Sequence, residues 1–193
     1  MGPHSAEQNP EVRRFLFLLA SARLNGNTEW LARIAATTLP ASTETRWICL
    51  SDMPLAPFRD IRHDGSMYPA PQGHEQALAD ATVAATDLVF VAPLYWYSVP
   101  ASAKLYLDYW SGWMRVESLE FKRRMKDKRL WTITVISDAE DALADPLIGT
   151  LRQTANYLQM KWCGALIGHG NRPGDVERDK PVIEMAATFF HQK

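Results

Sequence analysis

Asp87-Leu-Val-Phe-Val-Ala-Pro-Leu-Tyr-Trp-Tyr-Ser-Val-Pro-Ala101 is the stretch on which the fold turns. Leu88–Ala92 is apolar without alternation, the pattern of a strand buried on both faces. Pro93–Ser98 turns the chain, and Pro100 suits the first turn of a helix reaching about Trp113. The same strand–break–helix signature recurs on either side. Phe15–Ala20 is a second apolar run, broken by Asn25-Gly26-Asn27-Thr28 and followed by helical spacing from Trp30 to Leu39. Thr45–Leu50, Arg129–Ser137 and Trp162–Ile167 supply three more strands, with helices over 74–86, from Asp145-Pro146 to Leu158, and from Pro181 onward. Asp145-Pro146 reads as an N-cap followed by a proline at the first helical position. Five βα units of this kind predict an α/β protein with a parallel sheet covered by helices on both faces.

Composition bounds the function. The chain has 193 residues, 47% hydrophobic and 22% charged, with a formal net charge of −1. This length and balance fit one globular domain over 13–193 behind a flexible tail over 1–12. A near-neutral charge argues against nucleic acid as the partner. No apolar run approaches the roughly 18 residues of a membrane span and no targeting segment stands out, so the expectation is a cytoplasmic protein without membrane insertion. The five histidines show no metal-binding spacing, so no metal is expected. Cys49 and Cys163 lie at or near strands and read as small buried hydrophobes. From Asp52 to Gly73 no period is visible, which predicts a long loop.

In open α/β sheets, ligands bind beyond the carboxyl ends of the strands, where strand order reverses. The loop after the first strand, Ser21-Ala-Arg-Leu-Asn-Gly-Asn-Thr28, carries neither G-x-G-x-x-G nor a phosphate loop of the NTPase kind. Its hydroxyls, amides and single arginine open a helix, which is good chemistry for a phosphate monoester. An ordinary turn in which Asn27 or Thr28 merely caps the helix fits equally well. Three consecutive aromatics, Tyr95, Trp96 and Tyr97, cannot all enter one core. They suit a slot for a planar heteroaromatic ring, or a contact between subunits. Tyr106, Tyr109, Trp110 and Trp113 follow helical spacing and read as packing.

Together these segments resemble the flavodoxin-like NAD(P)H-dependent FMN reductases and NAD(P)H:quinone oxidoreductases. Leu18–Thr28 is similar to that family's G-S-x-R-x-x-G-N-T opening, and Asp87–Ala101 to its D-x-I-x-x-x-x-P-x-Y-W-x-S-x-P-A. Lys104 and Asp108 match its K-x-x-x-D. The resemblance implies a flavodoxin-like three-layer sandwich with strand order 2-1-3-4-5 and FMN at the switch point. It implies that Ser21, Arg23, Asn25, Asn27 and Thr28 surround the FMN phosphate. It places Pro93, Leu94, Tyr95, Trp96, Tyr97 and Ser98 along the ribityl chain and ring, with Ser137 on a third contacting loop. NADPH or NADH as co-substrate would pass a hydride to flavin N5, and a small acceptor (a quinone, flavin or azo compound) would then be reduced in the same slot. The flavin carries the chemistry, so no catalytic side chain is required. A homodimer or homotetramer is implied.

Departures from the family pattern are also visible. Ser137-Asp-Ala-Glu-Asp141 stands where many relatives carry glycines, bringing three acids near the flavin. Tyr97 stands where glycine is common, narrowing access. His169 ends the fifth strand, an edge usually remote from the flavin. The basic run Lys122–Arg129 is either a solvated connection or an attractor for dinucleotide phosphates. Two other functions share the fold: a flavodoxin-type electron carrier, which is typically far more acidic, and a non-catalytic interaction module.

Overall fold

A computed structural model describes residues 12–191; the tail expected over 1–12 therefore lies almost wholly outside the described residues. Five strands form one parallel sheet in the order β2-β1-β3-β4-β5: β1 Arg14–Leu19, β2 Glu44–Cys49, β3 Asp87–Val91, β4 Arg129–Ile136 and β5 Lys161–His169. The helices are α1 Asn27–Ala36, α2 Gly73–Ala84, α3 Ala101–Trp113, α4 Phe121–Met125, α5 Asp145–Tyr157 and α6 Lys180–Ala186. The short α4 covers the start of the basic run, which reads in the sequence as a solvated helix end and connection. Helix α5 starts one residue earlier than its capping signal indicated. Ala144 is the N-cap, and Asp145-Pro146 occupies the first helical positions.

The apolar runs explain the layering. Successive residues of a strand face opposite sides of its sheet. Leu16, Leu18, Leu88 and Phe90 therefore enter a core with α2, α3, α4 and α5. Phe15, Phe17, Val89, Val91, Trp131 and Ile133 enter a second core with α1 and α6. Both faces are dry, so neither strand could have alternated with polar residues.

The helical aromatics behave as packing. Tyr106, Trp110 and Trp113 are buried and meet Phe90 and Phe121 in edge-on or tilted contacts with centroids 5.4–6.4 Å apart. The Tyr106 hydroxyl shares a 2.5 Å hydrogen bond with Thr82, and burial pushes its pKa upward. Trp113 Nε1 donates to Glu75 at 2.9 Å.

The long loop after β2 is docked rather than open. Phe58 stacks on Tyr68, and the Tyr109 hydroxyl donates to the carbonyl of Ala56 at 2.9 Å. Tyr68 lies directly over Gly112, where a Cβ would come within 2.9 Å of its ring. The cavity between this loop and α3, about 510 Å³, is larger than either cavity at the carboxyl ends of the strands. Gly112→Ala should force the ring outward and cost about 1–3 kcal/mol by overpacking. Limited proteolysis should show faster cleavage between Phe58 and Tyr68; an unchanged cleavage rate would refute the close fit.

The basic run lies at the wrong end of the sheet to attract a dinucleotide. Arg129 begins β4 beside Asp87, the first residue of β3, so the run sits at the amino ends of the strands. Lys128 donates to the carbonyls of Val83 and Ala85 at the end of α2, where a cation complements the helix dipole. Arg123 pairs with Glu120.

Candidate functional site

The carboxyl ends of β1, β3 and β4 converge through their loops. The N–H of Ala20 reaches Val91 O, the N–H of Ala92 reaches Ile133 O, and the hydroxyl of Ser102 donates to Ala20 O at 3.1 Å. Two adjacent cavities open there. The first, about 200 Å³, is lined by Ser21, Arg23, Asn27, Thr28, Pro93, Leu94, Tyr95 and Ser137 among the expected residues. The second, about 210 Å³, is lined by Leu94, Trp96, Tyr97 and Ser137, together with Asp138.

The first cavity is polar because α1 ends on it. Gly26 is the N-cap and offers no side chain, so the first-turn N–H groups find no acceptor among the described residues. Thr28 is 4% exposed, and its hydroxyl has no partner among the described residues. The Arg23 guanidinium is likewise uncommitted there, and Ser21 Oγ accepts the N–H of Arg23 at 3.0 Å. Uncapped N–H groups, an unpartnered hydroxyl and a free guanidinium on one cavity form an anion cradle.

Two expected contacts are redirected, and a third takes on a second role. The side-chain amide of Asn27 is bonded at both ends: Nδ2 donates to Arg172 O and Oδ1 accepts from the N–H of Gly174, each at 2.9 Å. It lines the cavity, keeps its second amide N–H uncommitted among the described residues, and staples the start of α1 to the loop after β5. Asn25 lines neither cavity. It sits at φ 51°, and its N–H donates to Glu29, a turn former with no reach into the site. Ser98 is exposed, lines neither cavity and closes the aromatic turn by exchanging backbone hydrogen bonds with Tyr95.

That turn is strained. Trp96 and Tyr97 both hold positive φ, 50° and 62°, as a two-residue type I′ turn requires. Asn-Gly would fit without penalty, whereas each aromatic costs about 1–2 kcal/mol there. Trp96 is 93% exposed. Tyr97→Gly should therefore raise stability by about 1 kcal/mol once the extra freedom of the unfolded glycine is subtracted. Chemical denaturation would read the gain, and a loss would show that the Tyr97 ring holds the turn.

The acids of the third loop divide. Asp138 borders the second cavity, Glu140 borders neither, and Asp141 Oδ1 turns to His169 Nε2 at 2.9 Å. Sequence reasoning missed a fourth wall, Gly170 and Asn171 after β5, together with Gly26 and Val135. The glycines at 168 and 170 were the available signal. A Cβ at Gly170 would meet Asn27 Nδ2 at 2.9 Å and the N–H nitrogen of Val176 at 3.0 Å. The wall is held by Asp175, which accepts the N–H of Arg172 at 2.7 Å and that of Asn171 at 3.2 Å. Those bonds keep its carboxyl below the usual range. Cys163 is not primed as a nucleophile, because burial pushes its thiol up. Among the described residues no cluster of metal-ligating side chains occurs, and no helix is long and apolar enough to cross a membrane.

A family model described as flavodoxin-like fold, Flavodoxin_2, matches residues 13–191. The chain belongs to this flavodoxin-like family. It is 30% identical over 169 residues to a Bacillus subtilis (strain 168) protein, YwqN, named provisionally as an NAD(P)H-dependent FMN-containing oxidoreductase; the match spans 87% of this chain and 91% of YwqN. Among solved structures it resembles the Trp repressor binding protein from Bacillus subtilis, with TM-score 0.71 and 22% identity over 94% of this chain and 99% of that one. It also resembles an azoreductase from Bacillus anthracis strain Sterne, with TM-score 0.63 and 15% identity over 92% and 98% of the two chains. These two likenesses show the shared flavodoxin-like fold, in agreement with the observed strand order.

Proposed function

We propose that this flavodoxin-like protein is an FMN-dependent NAD(P)H oxidoreductase that reduces a small flat acceptor, such as a quinone, flavin or azo compound. The observation that carries the reading is the cradle: uncapped α1 N–H groups, the Thr28 hydroxyl and free Arg23 facing one polar cavity. A terminal phosphate satisfies all of them. The adjoining cavity, bordered by Leu94, Trp96 and Tyr97, suits a planar ring, and FMN carries both groups. The relationship to YwqN supports the same cofactor and co-substrate.

Ser21, Arg23 and Thr28 would hold the phosphate, while Pro93, Leu94, Tyr95, Trp96, Tyr97 and Ser137 would border the rest of the cofactor. When bound, FMN supplies the chemistry of accepting a hydride from NADPH or NADH and passing two electrons to the acceptor. The chain binds, orients and keeps water from one ring face; no side chain is needed as acid or base. Exposed Trp96 favours a homodimer or homotetramer as the working form, and a cytoplasmic location suits a reaction fed by NAD(P)H.

The purified protein should show flavin absorbance, or acquire it with added FMN, and anaerobic NADPH or NADH should bleach it. A colourless protein that neither binds FMN nor oxidises NAD(P)H in its presence would overturn the reading.

A further inference from the structure

His169 occupies a position that the expected remoteness of β5 from the flavin did not foresee. It is the last residue of β5 and pairs with Ile136, so it stands beside the residue that precedes Ser137. Its ring is held at both nitrogens. Nδ1 lies 3.1 Å from Asp179 Oδ2, and Nε2 lies 2.9 Å from Asp141 Oδ1. The backbone N–H of His169 donates to the same Asp179 oxygen at 2.9 Å, and the other oxygen of Asp179 caps α6 by accepting the N–H of Val182. Burial raises the pKa of Asp179, but these bonds outweigh it and keep the carboxyl below its usual range.

Two walls of the cavities meet at this ring. On one side is the loop from Ser137 to Asp141, whose first two residues border the cavities. On the other are Gly170 and Asn171, the residues immediately after His169; the N–H of Gly170 donates to Ile136 O at 2.9 Å. The loop after β4 is crowded with like charge: Asp138, Glu140, Asp141 and Asp145 fall within eight residues. Such a segment repels itself unless a cation compensates.

We infer that His169 is a positioning residue: its ring, hydrogen-bonded to Asp141 through one nitrogen and to Asp179 through the other, locks the Ser137–Asp141 and Gly170–Asn171 walls into the shape that receives the cofactor. Among the described residues the titratable groups within ion-pair distance of the ring are Asp141, from the turn after β4, and Asp179, from the start of α6.

This inference rests on the FMN reading for its ligand, but not for its geometry, so two measurements separate them. The first is hydrogen exchange of the FMN-free protein. His169→Gln and Asp141→Asn should each speed exchange over residues 137–144, and the double variant should add little to either, since each single change already breaks the His169–Asp141 tie. The second is the dissociation constant for added FMN, followed by flavin fluorescence. His169→Gln should weaken binding about tenfold, the worth of one charge-assisted bond. Equal exchange over 137–144 in wild type and His169→Gln overturns the inference. So does an FMN affinity unchanged by the substitution. Faster exchange in a protein that binds no FMN sustains the clamp and overturns the FMN reading alone.

Discussion

Arg13→Met is expected to cost about 3 kcal/mol of folding stability, near the low end of what breaking a buried ion pair costs. Asp87 opens β3 and its side chain is wholly inaccessible. Arg13 Nη2 approaches it at 2.5 Å, Trp131 Nε1 donates to Oδ1 at 2.9 Å, and the Thr86 hydroxyl donates to Oδ2 at 2.7 Å. The guanidinium also lies over the Phe15 ring, 4.6 Å from its centroid. Methionine keeps much of that apolar stem but leaves the Asp87 carboxylate beside Trp131 without its guanidinium. The low end applies because Arg13 is 29% exposed, so some solvent can follow it in. Urea denaturation should show a lower midpoint with an unchanged slope. Adding Asp87→Asn to the same chain should recover part of the loss, since the stranded charge is then gone. Additive losses would mean that the pair is not coupled. FMN affinity should stay near wild type, because the pair lies at the amino ends of the strands.

The second large effect is on cofactor affinity. Arg23→Ala should raise the FMN dissociation constant about 10- to 100-fold, the range for one lost charged hydrogen bond. Thr28→Val keeps the volume of a side chain that is 4% exposed and removes only its hydroxyl, so about tenfold is expected. Neither group has a protein partner among the described residues, so the FMN-free protein should melt at nearly the wild-type temperature in both variants. The thermal stabilisation produced by FMN should shrink in step with affinity. If either variant binds FMN as tightly as wild type, the cradle does not hold the phosphate. A fall in the melting temperature without FMN would instead mean that the residue is structural.

Much of the fold was legible because its strands admit a single reading. Leu16 and Leu18 face one core and Phe15 and Phe17 the other, and only burial on both sides allows so unbroken an apolar run. The aromatic cluster divided as its spacing suggested: Tyr106, Trp110 and Trp113 pack inside, while Tyr95, Trp96 and Tyr97 stay at the surface. What could not be read depends on partners remote in sequence. The second role of Asn27 is of this kind, because its amide is bonded to residues 145 and 147 positions away. Asn25 and Ser98 look like contacts because the motif contains them, but backbone geometry, not side-chain chemistry, uses both. His169 looked peripheral because strand order alone puts β5 at an edge. The loops above the sheet cancel that distance, and strand order does not describe loops.

The Asn27 staple has a thermodynamic consequence. It makes the start of α1 and the segment from Arg172 to Gly174 one mechanical body, so any ligand that rigidifies the first also lowers the opening probability of the second. Occupancy near β1 is thereby reported at the far edge of the sheet. Hydrogen exchange at the Gly174 N–H would sense the free cofactor concentration without touching the cofactor.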